Sequence, residues 1–139
     1  MDKKSKSRRQ FLKAGLAAAA VVNLGILANA TEKNDMKKSM FIHHVYFWLK
    51  NPDSKEDYEK LVKGLEALAK VSTIKMFHLG KPANTNRDVI DRSYSVSWML
   101  VFENGADQES YQKDPIHLKF VADCSMLWSK VVVYDSVDV

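Results

Sequence analysis

A tyrosine and a histidine flank a proline near the end of the chain. Tyr111 and His117 are six positions apart, and Pro115 lies between them. A histidine is suited to take a proton from a carbon next to a carbonyl group, because its ordinary pKa lies near neutral. A tyrosine hydroxyl can orient that base or donate a hydrogen bond to the oxygen of an enolate. Together the two residue types are suited to acid–base chemistry.

The backbone around Pro115 decides whether these two side chains can act together. In a continuous helix six residues correspond to about 600° of rotation, which leaves Tyr111 and His117 well off one face. We therefore expect a kink at Asp114 and Pro115 that brings them together. The alternatives stay open: Tyr111 is a core aromatic, and His117 caps the turn through the proline. Asp114 either pairs with His117 or caps a helix at the surface.

Another histidine lies on an apolar segment earlier in the chain. Residues 41–50 (FIHHVYFWLK) are aromatic and β-branched, which is typical of a strand. Adjacent strand residues point to opposite faces, so His43 and His44 diverge, and His43 shares its side with Val45 and Phe47. The four histidines show no H-x-x-x-H spacing, and the chain has no Gly-rich phosphate loop. Neither a metal site nor a cofactor is therefore predicted.

The formal net charge of +4 comes from the first thirty residues. Residues 1–30 hold six cations and one acid, whereas residues 31–139 hold 15 cations and 16 acids, a net charge of −1. The second part has no basic run, so nucleic acid is not an expected partner. It is long enough for one domain with a single core. The single cysteine, Cys124, excludes an internal disulfide and a cysteine-based zinc cluster, and is most simply a small buried hydrophobe.

The first thirty residues have the order of a secretory signal. A polar, basic stretch over 2–13 is followed by an apolar run over 14–28 and by the small-x-small pattern Ala28-Asn29-Ala30. Residues 7–13 (SRRQFLK) resemble the twin-arginine export motif. We therefore predict a signal peptide that the twin-arginine export machinery carries, cleavage after Ala30, and a periplasmic mature protein.

An uncleaved membrane anchor is the alternative for the apolar run. The run is Ala-rich, is interrupted by Asn23 and Gly25, and is shorter than the roughly 20 residues that span a bilayer. We therefore expect no stable membrane association. Residues 31–39 are polar and are predicted to be a disordered mature N-terminus, followed by one domain over 40–139.

The domain alternates strand and helix signals. We predict, in order, a strand over 41–50, a helix capped by Asp53 or Ser54, strands over 74–79 and 93–102, helices from Gly105 to Lys113 and from Pro115 to about Trp128, and a strand over 131–137. In the third strand, alternation places five residues on one face: Tyr94, Val96, Trp98, Leu100 and Phe102. This βαββαβ order indicates an α+β, ferredoxin-like fold with a four-stranded antiparallel sheet and helices on one face.

The face without helices needs another cover. Tyr46 and Trp48 lie on the side of the first strand opposite His43, and the last strand is apolar on both sides at Val131 to Val133. The chain offers no further layer, so we expect a homodimer with sheets packed face to face. The alternative is a monomer with a partly apolar open face.

Several of these features together resemble the stress-responsive dimeric α/β-barrel (Dabb) family. They are the first strand ending in Leu-Lys, the strand ending at Gly80, the block Tyr-x-x-x-Pro-x-His-x-x-Phe over 111–120, and the valine-rich last strand followed by Asp135. The resemblance covers about residues 40–136. It implies a small homodimer whose two sheets join into a barrel. Most members have no assigned activity, and one, the plant olivetolic acid cyclase, closes a linear polyketide without a cofactor.

The resemblance also implies roles for individual residues. The catalytic histidine and tyrosine of the cyclase match His117 and Tyr111, and a pocket histidine matches His43. We expect a small, mostly apolar ligand between sheet and helices, bound by six residues: His43, Val45, Phe47, Leu61, Leu65 and Phe120. The first helix offers leucines where the cyclase has aromatics, so an aromatic polyketide is not inferred. A non-catalytic, stress-responsive binding or structural protein is the alternative.

Overall fold

A computed structural model describes residues 39–139, which form a four-stranded antiparallel sheet with helices on one side. The predicted signal peptide, its cleavage site and all but the last of residues 31–39 lie outside the described residues. The elements are β1 (Phe41–Leu49), α1 (Lys55–Leu68), β2 (Met76–Gly80), β3 (Val96–Phe102), α2 (Gly105–Lys113), α3 (Pro115–Cys124), a short 3₁₀ turn (Ser125–Leu127) and β4 (Trp128–Val137). The strand order is β2-β3-β1-β4, so the ferredoxin-like prediction is confirmed.

Helix α1 forms where the sequence combines a cap with an apolar stripe. The side chain of Ser54 accepts a hydrogen bond from the backbone N–H of Asp57, which satisfies one of the free donors of the first turn. Leu61, Leu65 and Leu68 recur at helical spacing and are almost completely buried against the sheet. Their burial forms the centre of the core.

The connection between α2 and α3 is a single extended residue. Asp114 has φ −64° and ψ 136°, ends α2, and begins α3, where its side chain accepts from the N–H of Ile116. Pro115 follows at the first helical position, where its missing N–H costs nothing. The predicted kink is confirmed, and Asp114 acts as a helix cap.

Strand β3 begins later than the alternation of its residues predicts. The hydroxyl of Ser95, rather than a backbone carbonyl, accepts from the N–H of Leu49, so regular pairing starts at Val96. Tyr94 therefore does not join the core face. It packs beside Tyr46 and Trp48, on the side of the sheet away from the helices.

The end of α3 also differs from the prediction. The helix stops at Cys124, four residues before Trp128, and β4 starts at Trp128 rather than Val131. The carbonyl of Leu127 accepts from the N–H of Lys50, so this part of the chain already pairs with the end of β1 and can no longer continue a helix.

The sheet has two unequal sides. Residues of β1 alternate between full and partial burial, and the buried set, which includes His43, faces the helices. We call the other side the open face; it carries His44, Tyr46, Trp48, Met99, Tyr94 and Tyr134. Within residues 39–139 no helix has the length and apolar character needed to cross a membrane.

Candidate functional site

A cavity of about 170 Å³ lies between the helix-facing side of the sheet and the α2–α3 connection. Its lining is mostly apolar, with a few polar groups among aliphatic and aromatic side chains. The lining residues are His43, Val45, Phe47, Leu68, Trp98, Tyr111, Gln112, His117, Phe120, Val121, Trp128, Val131 and Val133. Val131 and Val133 are about half exposed on the edge strand β4, so the cavity opens toward solvent between that edge and α3. An apolar hollow with few convergent polar groups is typical of a small-molecule site.

Tyr111 lies between two histidines in this cavity. Its ring centroid is 4.7 Å from that of His117 and 5.8 Å from that of His43. The first contact exists because the extended residue Asp114 turns α3 back across the end of α2. The structure thus brings together the three polar residues that the sequence singles out.

His43 is held by a carboxylate on the neighbouring strand. Its Nδ1 lies 2.6 Å from Oδ1 of Asp135, the residue directly opposite it on β4. A carboxylate accepts hydrogen bonds, so the Nδ1 N–H of His43 donates to Asp135, and Nε2 is the ring nitrogen left for another contact. The His43 side chain is buried while Asp135 is about half exposed, so the pair connects the cavity with the surface.

Burial favours the neutral form of both His117 and Tyr111. It lowers the pKa of His117, and the backbone of Gln112 opposes this shift by offering a hydrogen bond to the charged ring. Nδ1 of His117 is buried and has no partner at ordinary hydrogen-bonding distance within residues 39–139. Burial also raises the pKa of Tyr111 far above its usual range, so its hydroxyl keeps its proton. The pair therefore offers a neutral base beside a protonated donor.

The other predicted ligand contacts divide into two groups. Val45, Phe47 and Phe120 line the cavity, as the alternation of β1 and the helical pattern indicate. Leu61 and Leu65 are fully buried and lie outside its lining; the same helix contributes Leu68, one turn further on. Their role is core packing, because α1 reaches the cavity only with its last turn.

Some lining residues were not predicted as ligand contacts. Trp98 lines the cavity from the sheet side, opposite Val45 on the paired strand β1. The alternation of β3 indicates that it faces the helices. Gln112 and the β4 valines also line it. Asp135 has no local signal for its contact, since it is 92 positions from its partner His43.

The described residues offer no obvious place for a metal ion. Within residues 39–139 no group of three or more His, Cys, Asp or Glu side chains is placed to hold one. The chemistry that this part of the chain supports is proton transfer by an imidazole, with a phenol as hydrogen-bond donor, in an apolar surrounding.

Solved structures share this architecture. A Dabb protein from Mesorhizobium loti with a ferredoxin-like fold is 22% identical with a TM-score of 0.61, over 73% of this chain and 98% of that one. A dimeric ferredoxin-like protein of unknown function from Thermobifida fusca is 14% identical, with a TM-score of 0.60 over 73% and 93%. The hydroxynitrile lyase from Passiflora edulis is 18% identical, with a TM-score of 0.61 over 73% and 95%. At these identities the likeness shows the fold.

Sequence comparison identifies both parts of the chain. A stress-response A/B barrel domain-containing protein of Arabidopsis thaliana is 29% identical over 101 residues, which are 72% of this chain and 87% of that protein. Residues 7–25 match the twin-arginine translocation signal sequence, which directs export across the cytoplasmic membrane. Residues 41–138 match the model of the stress responsive A/B barrel domain. The chain belongs to the stress responsive A/B barrel (Dabb) domain family and carries a twin-arginine signal sequence ahead of that domain.

Proposed function

We propose that this exported protein binds a small, mostly apolar molecule in the cavity between sheet and helices, and that it transfers a proton on that molecule without a cofactor. The observation that carries the proposal is the position of Tyr111, whose ring lies against both His43 and His117 at the wall of an apolar cavity. Titratable groups gathered in an apolar hollow, with pKa values moved by burial, are typical of acid–base sites.

The three residues take different parts in such a reaction. His117 is the base, because burial keeps its imidazole neutral and able to accept a proton. Tyr111 keeps its proton and donates a hydrogen bond to an oxygen that gains negative charge. His43, fixed by Asp135, binds the ligand through its other ring nitrogen, Nε2. Reactions of this type include cyclisations and lyase reactions, and the Passiflora edulis neighbour with the same fold is a hydroxynitrile lyase.

The first experiment identifies the ligand and separates binding from catalysis. The protein is purified from its native compartment, and the small molecules it carries are identified by mass spectrometry. The identified compound is then incubated with wild type, with His117→Gln and with Lys63→Gln, a control at an exposed position of α1. Conversion that is lost in His117→Gln and kept in the control supports the proposal. Binding without conversion in all three proteins supports the alternative, a non-catalytic binding protein.

We further propose that the protein is a periplasmic homodimer whose open faces pack together, with the signal peptide removed after Ala30. The open face carries a network of aromatic rings: Tyr46 lies 4.9 Å from Tyr94 and 6.0 Å from Tyr134, measured between centroids. Tyr134 is about two-thirds exposed in the single chain, so a cover would bury much apolar surface. Light scattering of the mature protein gives the mass of two chains if this holds, and N-terminal sequencing begins at Thr31.

A further inference from the structure

A second pocket, of about 250 Å³, lies on the open face, on the side of the sheet away from the cavity described above. Four aromatic rings and one carboxylate line it: Tyr46, Trp48, Tyr94, Tyr134 and Asp91. Trp48 is four residues along β1 from His44, the residue paired with Met99. Four strand residues span about 13 Å, so the pocket lies toward one end of the open face, away from the middle of the proposed dimer interface.

The rings stand around this pocket as walls. Tyr46 meets Tyr94 at 4.9 Å between centroids, with 74° between the ring planes, and meets Tyr134 at 6.0 Å and 79°. Trp48 meets Tyr94 at 6.5 Å and 79°. Rings at such angles do not cover one another's faces as stacked rings do. The faces carry the negative charge density of each ring, so they are available to a ligand that complements it.

The face of Trp48 already attracts a cation of the chain itself. Nζ of Lys130, the residue paired with Trp48 on β4, lies 4.4 Å from the centroid of the indole ring. An ammonium group at this distance is attracted electrostatically by the ring. Lys130 is exposed and does not belong to the lining of the pocket. The contact indicates that this aromatic surface favours positive charge.

A carboxylate completes the pocket and is held in place. The backbone N–H of Ser93 donates to Oδ1 of Asp91 at 2.8 Å, and Nε1 of Trp48 donates to the Ser93 hydroxyl at 3.0 Å. Hydrogen bonds from the hydroxyl and the backbone of Ser93 lower the pKa of Asp91, so its side chain is ionised at neutral pH. None of the lining residues carries a positive charge. The pocket therefore attracts a cation and repels an anion.

The scarcity of free acceptors restricts the kind of cation. A primary ammonium group brings three donors, each of which needs an acceptor when it leaves water. The hydroxyl of Tyr46 is already engaged with Nδ1 of His44, 3.2 Å away. A quaternary ammonium group has no N–H donor, and its methyl groups gain from contact with the faces of aromatic rings. The lining therefore favours a methylated cation.

We propose that this pocket of the open face is an aromatic cage that binds a trimethylammonium group, carried either by a free small molecule or by a lipid head group. The rings contact the methyl groups, and Asp91 supplies the opposite charge. The cage lies on the other side of the sheet from the cavity that contains His117. Its failure in the test below would therefore leave the proposed function of that cavity untouched.

The test compares choline with 3,3-dimethylbutan-1-ol, which has the same shape but a carbon atom in place of the charged nitrogen. Both probes carry equivalent methyl groups that give one sharp proton resonance, and contact with ring faces moves it upfield. NMR titration of the mature protein, in its native oligomeric state, measures both affinities. Choline is expected to bind about tenfold more tightly than the neutral probe, and the preference should shrink as salt is added.

Four variants relate the preference to individual residues. Trp48→Leu removes a ring and Asp91→Asn removes the charge at nearly constant shape, so each should lower the preference for choline about threefold or more. Lys130→Met removes a neighbouring cation and should tighten choline binding about threefold, an effect that damage to the fold would not produce. Asp88→Asn, an exposed acid outside the lining, is the matched control and should behave as wild type.

Vesicles separate the two sources of the group. Co-sedimentation with phosphatidylcholine but not phosphatidylglycerol vesicles, without binding of choline, assigns the cage to a lipid head group, whereas binding of choline assigns it to a free small molecule. Equal binding of choline and the neutral probe overturns the inference, as does binding of neither choline nor the vesicles. A preference for choline that is unchanged in both Trp48→Leu and Asp91→Asn also overturns it.

Discussion

Replacing Asp135 with alanine should leave the buried His43 without its hydrogen-bond acceptor. The two side chains meet at 2.6 Å between Nδ1 and Oδ1, across neighbouring strands and 92 positions apart in the chain. The His43 side chain is 5% exposed, so its N–H cannot simply turn to water when the carboxylate is removed. The variant should therefore lose both stability and the fixed tautomer of His43.

The expected loss of stability follows from the exposure of the two partners. A hydrogen bond to a charged group contributes about 1.5–3 kcal/mol when both partners are buried. Asp135 is 45% exposed, and solvent screening reduces the value, so we expect Asp135→Ala to lower the free energy of unfolding by about 1–2 kcal/mol. Asp135→Asn keeps an acceptor oxygen at the same place and should lose about half as much.

Urea unfolding of the wild type and the two variants measures this difference, with Asp123→Ala as control. Asp123 pairs with Lys119 on the surface of α3, at the spacing where such pairs contribute roughly 0.3–0.5 kcal/mol. The tautomer of His43 is read from its ring ¹⁵N shifts. If Asp135→Ala unfolds like the control and the Nδ1 proton stays in place, the contact does not orient His43, and the role given to Asp135 is wrong.

Three further outcomes are expected. Burial lowers the pKa of His44 and His117 below the ordinary value of 6.5 in the folded state, so the unfolded chain binds more protons. The free energy of unfolding should therefore fall as the pH drops below about 6.5. Urea titrations at several pH values measure this dependence, and His117→Gln should weaken it. Gly64→Ala would place a Cβ 2.7 Å from Sγ of Cys124 and 3.1 Å from the Phe120 ring, so it should lower the melting temperature, and Cys124→Ala in the same chain should restore part of the loss. Met99→Lys puts a charge in the middle of the open face and should yield monomers in light scattering. The control Val89→Lys, at an exposed position, should not. A dimeric Met99→Lys protein would contradict the proposed interface.

The sequence predicts the order and the facing of most elements, because local patterns determine them. Alternation along β1 separates His43 from His44, and the capping signals at Ser54 and Pro115 mark helix starts that the structure confirms. The placement of Tyr94 in the core face of β3 is wrong, because the Ser95 hydroxyl takes part in pairing and interrupts the pattern. A side-chain hydrogen bond of this kind leaves no periodic trace in a sequence.

In the candidate site, too, the sequence indicates which residues matter and the fold decides how they meet. The resemblance to the Dabb family, together with the alternation along β1, singles out Tyr111, His117 and His43 as the polar groups. Their meeting in space was an expectation until the turn at Asp114 gave it a geometry, with ring centroids 4.7 and 5.8 Å apart.

The sequence by itself determined the export signal, the fold class and the family. All three rest on residues close together in the chain or on their periodicity. The tertiary structure decided which residues face the cavity and how they are partnered. The contact between the Asp135 carboxylate and His43 arises from strands brought side by side, and the burial that lowers the pKa of His117 arises from packing. These properties depend on distances between remote residues, which only the folded chain sets.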